Sequence, residues 1–144
     1  MKIRLARNSD LPRLAELVNQ LGYVPSEAVL QERLAQYLSD PCKSIFVIED
    51  LHHILGFLSY HILPQFHSEE DHFRIVSMVV DQAHRRQGIG KFLILEAERI
   101  AKEKGCAVIE LTSDMRREEA HRFYGGLGYR HGEKQHFRKT LRPV

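Results

Sequence analysis

Apolar positions along this chain switch between a period of two and a helical period, and the switches mark its elements. Residues 2–6 alternate, with Ile3 and Leu5 apolar, and predict a strand. Asn8-Ser9-Asp10 then offers a helix N-cap, and Pro12 fits the first turn, where a missing N–H costs nothing. Leu11, Leu14, Val18 and Leu21 follow at helical spacing and end at Gly22. Ser26 predicts a second cap, with Val29, Leu30, Leu34 and Leu38 facing inward and Ser39-Asp40-Pro41 as the stop. Residues 44–49 and 54–63 are rich in β-branched and aromatic side chains and are separated by a four-residue turn at 50–53, which predicts an antiparallel hairpin. A polar, His-bearing loop over 64–71 leads to 73–81, the most apolar strand and the one suited to a central position. Residues 88–104 predict a long amphipathic helix closed by Gly105, and 107–112 the next strand. Ala120, Phe123, Tyr124 and Leu127 form one apolar face of a short helix over 118–127, loosened at its end by Gly125, Gly126 and Gly128. Residues 129–130 and 136–141 predict final strands. The order β-α-α-β-β-β-α-β-α-β(-β) implies a mixed α/β fold with one sheet, and 144 residues without linker or repeat imply one domain.

Composition narrows the function classes. Charged residues are 28% and hydrophobic ones 43%, ordinary for a globular protein and unlike a disordered or collagenous chain. A net charge of +2 and the lack of a basic aromatic patch argue against a nucleic-acid partner. The apolar runs, such as Met78-Val79-Val80, are far too short to span a membrane. Cys42 and Cys106 fit no zinc or redox spacing and are expected as reduced thiols. With no long apolar signal region at the start, a cytoplasmic location is expected.

The sharpest local feature is Arg85-Arg86-Gln87-Gly88-Ile89-Gly90, running into Lys91. It follows an apolar strand and opens a long helix, so successive backbone N–H groups and the helix dipole can converge on an anion such as a pyrophosphate. A tight strand-to-helix turn is the plain alternative. No Gly-Lys-Ser/Thr ending makes it a Walker loop, and the third glycine of a dinucleotide fingerprint is missing, since Phe92 and Leu93 follow.

Arg85-x-x-Gly88-x-Gly90, the strand Met78-Val79-Val80-Asp81 before it, and Phe123-Tyr124-x-x-Leu127-Gly128-Tyr129 beyond occur together and in order. In this set the chain resembles the GNAT (Gcn5-related) N-acetyltransferases, most strongly from Ile75 to Tyr129. The resemblance implies an acetyl-CoA-dependent transfer to a primary amine by direct attack in a ternary complex, with no covalent enzyme intermediate. It implies strands splayed apart between 78–80 and 107–112, with the pantetheine arm bonded to the backbone of Met78, Val79 and Val80 like an added strand. The pyrophosphate would lie on Arg85, Arg86, Gln87, Gly88, Ile89, Gly90 and Lys91. Ser113 is a candidate for the pantetheine or for a helix cap, and His121 for the adenosine end or for a loop cap. Tyr124 would face the sulfur and protonate the departing thiolate. A free phenol titrates near ~10 and a thiol near ~8.5, so this transfer runs in the right direction.

The acceptor side is less specified. An alkyl ammonium must lose a proton at a cost of roughly 4.6 kcal/mol at neutral pH. Where similar proteins carry acidic residues before the central Val-Val stretch, this chain has Arg74 and Ser77. Candidates for the proton path are Ser77 as a water holder, His72, Glu110, and the loop carboxylates Glu69, Glu70 and Asp71; for the carboxylates a solvated surface charge is the plain alternative. His61, His67 and His72 match no zinc spacing, so no metal is expected, and the 64–71 loop is expected at the rim of the acceptor pocket. Gln65-Phe66-His67 and His136-Phe137-Arg138-Lys139 add a resemblance to aminoalkylphosphonate N-acetyltransferases, which would suit Arg74, Arg116, Arg117 or Arg138 near an anionic tail. A small-molecule amine is the expected partner. A non-catalytic acyl-CoA-binding module and a protein (Lys or N-terminal) acetyltransferase remain as alternatives, and a homodimer, common in similar proteins, stays open.

Overall fold

Leu51 and His52 both take positive φ, 49° and 67°. Two consecutive left-handed residues give the turn whose twist matches a right-twisted hairpin. They join β2 (Lys43–Asp50) to β3 (His53–Pro64), so the hairpin expected over 44–63 forms. β1 (Lys2–Leu5) adds to β2 and β4 (Asp71–Val80) to β3, all antiparallel, and β5 (Val108–Leu111) pairs in parallel with β4. The result is one five-stranded mixed sheet in the order β1-β2-β3-β4-β5. The computed structural model describes residues 1–113, 117–132 and 134–142, without the side chain of Arg117. They fall into two compact units, residues 1–112 and residues 113–144.

In the first unit, alternation along the strands sends side chains to two cores. Val47, Ile54, Phe57 and Val79 pack with Ala6, Leu14, Leu17 and Leu34, under α1 (Leu11–Gln20) and α2 (Glu27–Ser39). Phe46, Leu58, Tyr60 and Phe73 face the other way; Tyr60 and Phe73 stack with centroids 4.3 Å apart. On that side α3 (Ile89–Glu103) buries Ile89, Leu93, Ile94, Ala97 and Ala101. Gly56 is required where α3 and β4 close on β3: a Cβ there would meet the Val79 carbonyl oxygen at 2.5 Å and Leu93 at 3.5 Å.

The first two helices form as predicted, with Ser26 capping Val29 N–H, but Leu21, Val29 and Leu38 are exposed. α1 buries Leu17 instead of Leu21, because Gly22 at φ 103° ends the helix before Leu21 can turn inward.

The second unit contains α4 (Arg117–Gly126), with Ala120, Phe123, Tyr124 and Leu127 half-buried as expected. The strands expected at 129–130 and 136–141 are not formed among the described residues. Phe137 and Leu141 are each 88% exposed. A strand needs a ladder partner, and no pairing reaches these residues. Among the described residues no helix is long and apolar enough to cross a membrane.

Candidate active site

β4 outruns its partner β5. β5 pairs with it only from His72 to Ile75, while β4 continues to Val80, so, among the described residues, 76–80 have a strand neighbour on one edge alone. Their peptide directions follow from alternation. Asp81 N–H donates to Leu55 O at 2.7 Å and the Val79 carbonyl lies against Gly56, both toward β3. Met78 and Val80 therefore direct their peptide groups to the open edge. This is the splay expected between 78–80 and 107–112, with backbone groups able to pair with an extended amide-bearing chain.

A bulge re-aims β4 just before that edge. Ser59 opposes Ser77 and Tyr60 opposes Ile75, leaving Val76 as the extra residue. A bulge points two consecutive side chains to one face. Val76 and Ser77 accordingly both line the cleft described below.

After β4 the chain is fixed by one carboxylate. Asp81 accepts from Ala83 N–H at 3.1 Å and from the Arg13 guanidinium, which also donates to Ile54 O at 2.8 and 3.0 Å. Gln20 bridges from α1 to Asp81 and to Gln82 N–H. The Arg13 contact, aided by Ala83 N–H, holds the Asp81 carboxyl down at about 2. Downstream, Arg86 takes φ 65° and Gly88 φ 78°. Gly88 is the N-cap of α3, and no side chain caps that end. Phe92 N–H bonds Gly88 O, leaving the first-turn N–H groups to an outside acceptor. Arg85, Arg86, Gln87, Gly88 and Lys91 are exposed around this end, Gly90 is half-buried, and Ile89 is buried and anchors the helix to the sheet. The Arg85 Nε lies 3.4 Å from Val80 O, on the open edge of β4. The predicted loop residues are thus brought together at the end of the unpaired strand.

On the α1/α2 face lies a cleft of about 290 Å³. Leu11, Leu14, Leu30 and Phe57 give it apolar walls; Arg33, Lys43, Tyr37, Ser59, His61 and Ser77 give it polar ones. The Ser59 and Ser77 hydroxyls share a short hydrogen bond across β3 and β4. Tyr37 Oη, from α2, sits 2.7 Å from His61 Nε2, and the Ser59 hydroxyl lies near enough to the phenol to act on its pKa. Burial raises the Tyr37 pKa and lowers that of His61, the latter helped by Lys43 and Arg74 against Asp40. Sequence reasoning found Ser77 but missed Tyr37 and Ser59 and gave His61 no catalytic role. Tyr37 lies on the flank of a helix whose pattern reads only as packing, and Ser59 and His61 alternate on a strand read for its apolar residues.

His72 and Glu110 do not line this cleft. They meet each other: His72 Nδ1 lies 3.7 Å from Glu110, which also pairs with Arg74 at 3.5 Å, and Gln65 bonds His72 at 3.1 Å. The exposed loop with Phe66 leads into this cluster, and Glu70 stands 3.8 Å from His72. Among the described residues no three His, Cys, Asp or Glu side chains are placed to hold a metal.

In the second unit, Tyr124 packs edge-on against Phe123, with centroids 4.8 Å apart, and its carbonyl accepts from Leu127 and Tyr129 N–H. Burial raises its pKa, opposed by a hydrogen bond from Ser113. His121 is exposed and contacts His131. Of the expected anion-binding arginines, Arg116 and the side chain of Arg117 lie outside the described residues; Arg138 is exposed.

Residues 11–129 match the model of the acetyltransferase (GNAT) family. An aminoalkylphosphonate N-acetyltransferase of Salmonella typhimurium is 36% identical over 89 residues, 60% of this chain and 54% of that protein. A glucosamine 6-phosphate N-acetyltransferase of Trypanosoma brucei brucei is 29% identical over 143 residues, 94% of this chain and 92% of the relative. The chain thus spans about half of the Salmonella protein and nearly all of the trypanosome one. Among solved structures, an aminoglycoside acetyltransferase from an uncultured soil metagenomic sample, in complex with trehalose, superposes with a TM-score of 0.79. That match is 27% identical and covers 98% of this chain and 96% of the other.

Proposed function

We propose that this chain, which belongs to the acetyltransferase (GNAT) family, moves an acetyl group from acetyl-CoA to the primary amine of a small, anionic molecule by direct attack in a ternary complex. The observation that carries the reading is the one-sided stretch of β4. Its outward peptides at Met78 and Val80 lead to an uncapped helix start ringed by Arg85, Arg86 and Lys91. A long thioester with amide groups along its arm and a diphosphate at its end matches both features in order.

The residues divide the work by position. Met78 and Val80 would hold the arm through backbone hydrogen bonds. Gln87, Gly88, Ile89, Gly90 and Lys91 would hold the diphosphate at the positive end of α3. When bound, acetyl-CoA supplies a thioester carbon open to an unprotonated amine. Tyr124 would keep its proton for the departing sulfur; its raised pKa leaves the phenol protonated at neutral pH. Ser113, its hydrogen-bonding neighbour, would fix the phenol's orientation.

The cleft beside the bulge would take the acceptor. Its walls include Arg33 and Lys43 but, among the described residues, no carboxylate, which favours an amine with a phosphate, phosphonate or carboxylate tail. Two relatives are named for amines of that kind. A cleft of about 290 Å³ is of a size to hold a small molecule.

The test is thiol release from acetyl-CoA by the purified protein, with 2-aminoethylphosphonate, glucosamine 6-phosphate and the polycation sisomicin as acceptors. The anionic amines should drive release and sisomicin should not. Preference for sisomicin would overturn the anionic assignment. Tight binding of acetyl-CoA with no release for any amine would make the chain a binding module.

A further inference from the structure

We infer that the hydroxyls of Ser77, Ser59 and Tyr37 form a relay that carries the acceptor's surplus proton to His61, the terminal proton acceptor of the reaction. The inference rests on the acetyl-transfer reading above. Its basis is the contiguity of four side chains from three elements. Ser77 stands at the bulge of β4, where the strand's pairing with β5 ends and the cleft begins. Its hydroxyl bonds that of Ser59, which is only 4% exposed. Ser59 neighbours the Tyr37 phenol, and Tyr37 Oη lies 2.7 Å from His61 Nε2. Each member except His61 can accept one proton while giving up another, so the set conducts without storing charge. The His61 and Tyr37 rings also tilt against each other at 5.3 Å, which holds the donor at the ring nitrogen.

The proton accounting is simple. The acceptor enters as an ammonium. One N–H proton passes to Ser77 Oγ as the Ser77 hydroxyl proton passes to Ser59. The Ser59 proton passes to Tyr37 Oη and the Tyr37 proton to His61 Nε2. The three hydroxyls end as they began, the amine is free to attack, and His61 becomes an imidazolium, with its Nδ1–H in place throughout. The charges around the ring set its readiness. Lys43 on β2 and Arg74 on β4 face it, Asp40 at the end of α2 opposes them, and Arg33 acts on Tyr37. Arg74 is itself paired with Glu110, which His72 also meets, so those two groups moderate its influence. Burial and the two cations keep His61 neutral at neutral pH, the form that accepts a proton.

This assignment replaces the expected paths through His72 or Glu110, which lie outside the cleft lining. It also gives Ser77 a partner that neither a bound water nor a carboxylate needs to supply.

The test compares wild type with Tyr37→Phe and His61→Gln, following thiol release with 2-aminoethylphosphonate and acetyl-CoA across pH, with the His61 ring titration read by NMR. In wild type, kcat/KM should level off above the pH at which the His61 ring loses its proton. Both variants should fall by about a hundredfold at neutral pH, the scale of general acid–base catalysis. Their rates should then climb in proportion to free amine and approach wild type near pH ~10, where the acceptor deprotonates unaided. Their affinity for CoA should be unchanged. Tyr37→Phe keeps the ring's packing, so a folding defect is separable from loss of the hydroxyl. A plateau preserved in both variants would overturn the relay while leaving acetyl transfer intact. Absence of thiol release by wild type with every amine of the panel would overturn both.

Discussion

Asp81 ties three parts of the site together, and its replacement by asparagine is a quantitative probe of that tie. The side chain accepts from Arg13 on α1 and from Ala83 in the segment before α3. Its pKa falls from 3.8 to about 2. At about 1.4 kcal/mol per pH unit, that difference corresponds to about 2 kcal/mol of folding stability. The sign follows from linkage. A carboxylate with a depressed folded pKa stabilises fully above the unfolded value and loses that contribution as pH falls through the folded value. Asp81→Asn keeps the size and a capping oxygen for Ala83 but removes the charge facing Arg13. Arg13 retains Glu16 at 2.9 Å and Ile54 O, so the guanidinium is not stranded. Urea unfolding at neutral pH should show wild type ahead by about 2 kcal/mol. The gap should close between pH ~4 and pH ~2, where the wild-type carboxyl protonates. A gap that stays constant across this range, or is absent at neutral pH, would refute the electrostatic account of the anchor.

Two further substitutions test the packing and the chemistry. Gly56→Ala would place a methyl 2.5 Å from the Val79 carbonyl; overpacking of this kind costs about 1–3 kcal/mol, and a melting shift near zero would show that β4 yields freely. The same variant should weaken CoA binding, because Val79 sits between the two outward peptides; unchanged affinity would separate the strand's position from the cofactor. Tyr124→Phe should lower kcat by at least about tenfold with little change in CoA affinity, since a proton donor contributes to the transition state more than to binding; full turnover would remove the acid role.

How far the sequence foretold this arrangement differs from element to element. The hairpin, β4 and α3 follow from local patterns: β-branched runs around a short turn, an apolar strand, and an amphipathic helix ended by Gly105 at φ 73°. The loop before α3 was legible because a glycine at φ 78° before an uncapped helix is a local requirement, visible as Gly88. The cleft on the α1/α2 face was not, since Tyr37, Ser59, His61 and Ser77 meet through the pairing of distant segments. The bulge at Val76 depends on register, which no short window encodes. The strands expected at 129–130 and 136–141 would need a free ladder partner, and a short stretch of sequence does not report one. Leu21 and Leu38 continued helical patterns past the point where their helices turn away from the core.

The central claim is that the open edge of β4 and the start of α3 hold coenzyme A. Amide NMR shifts recorded during titration with CoA test it directly. The largest changes should fall on residues 78–80 and 88–92, with saturation at one equivalent. An unchanged spectrum, or changes centred on other residues, would contradict it.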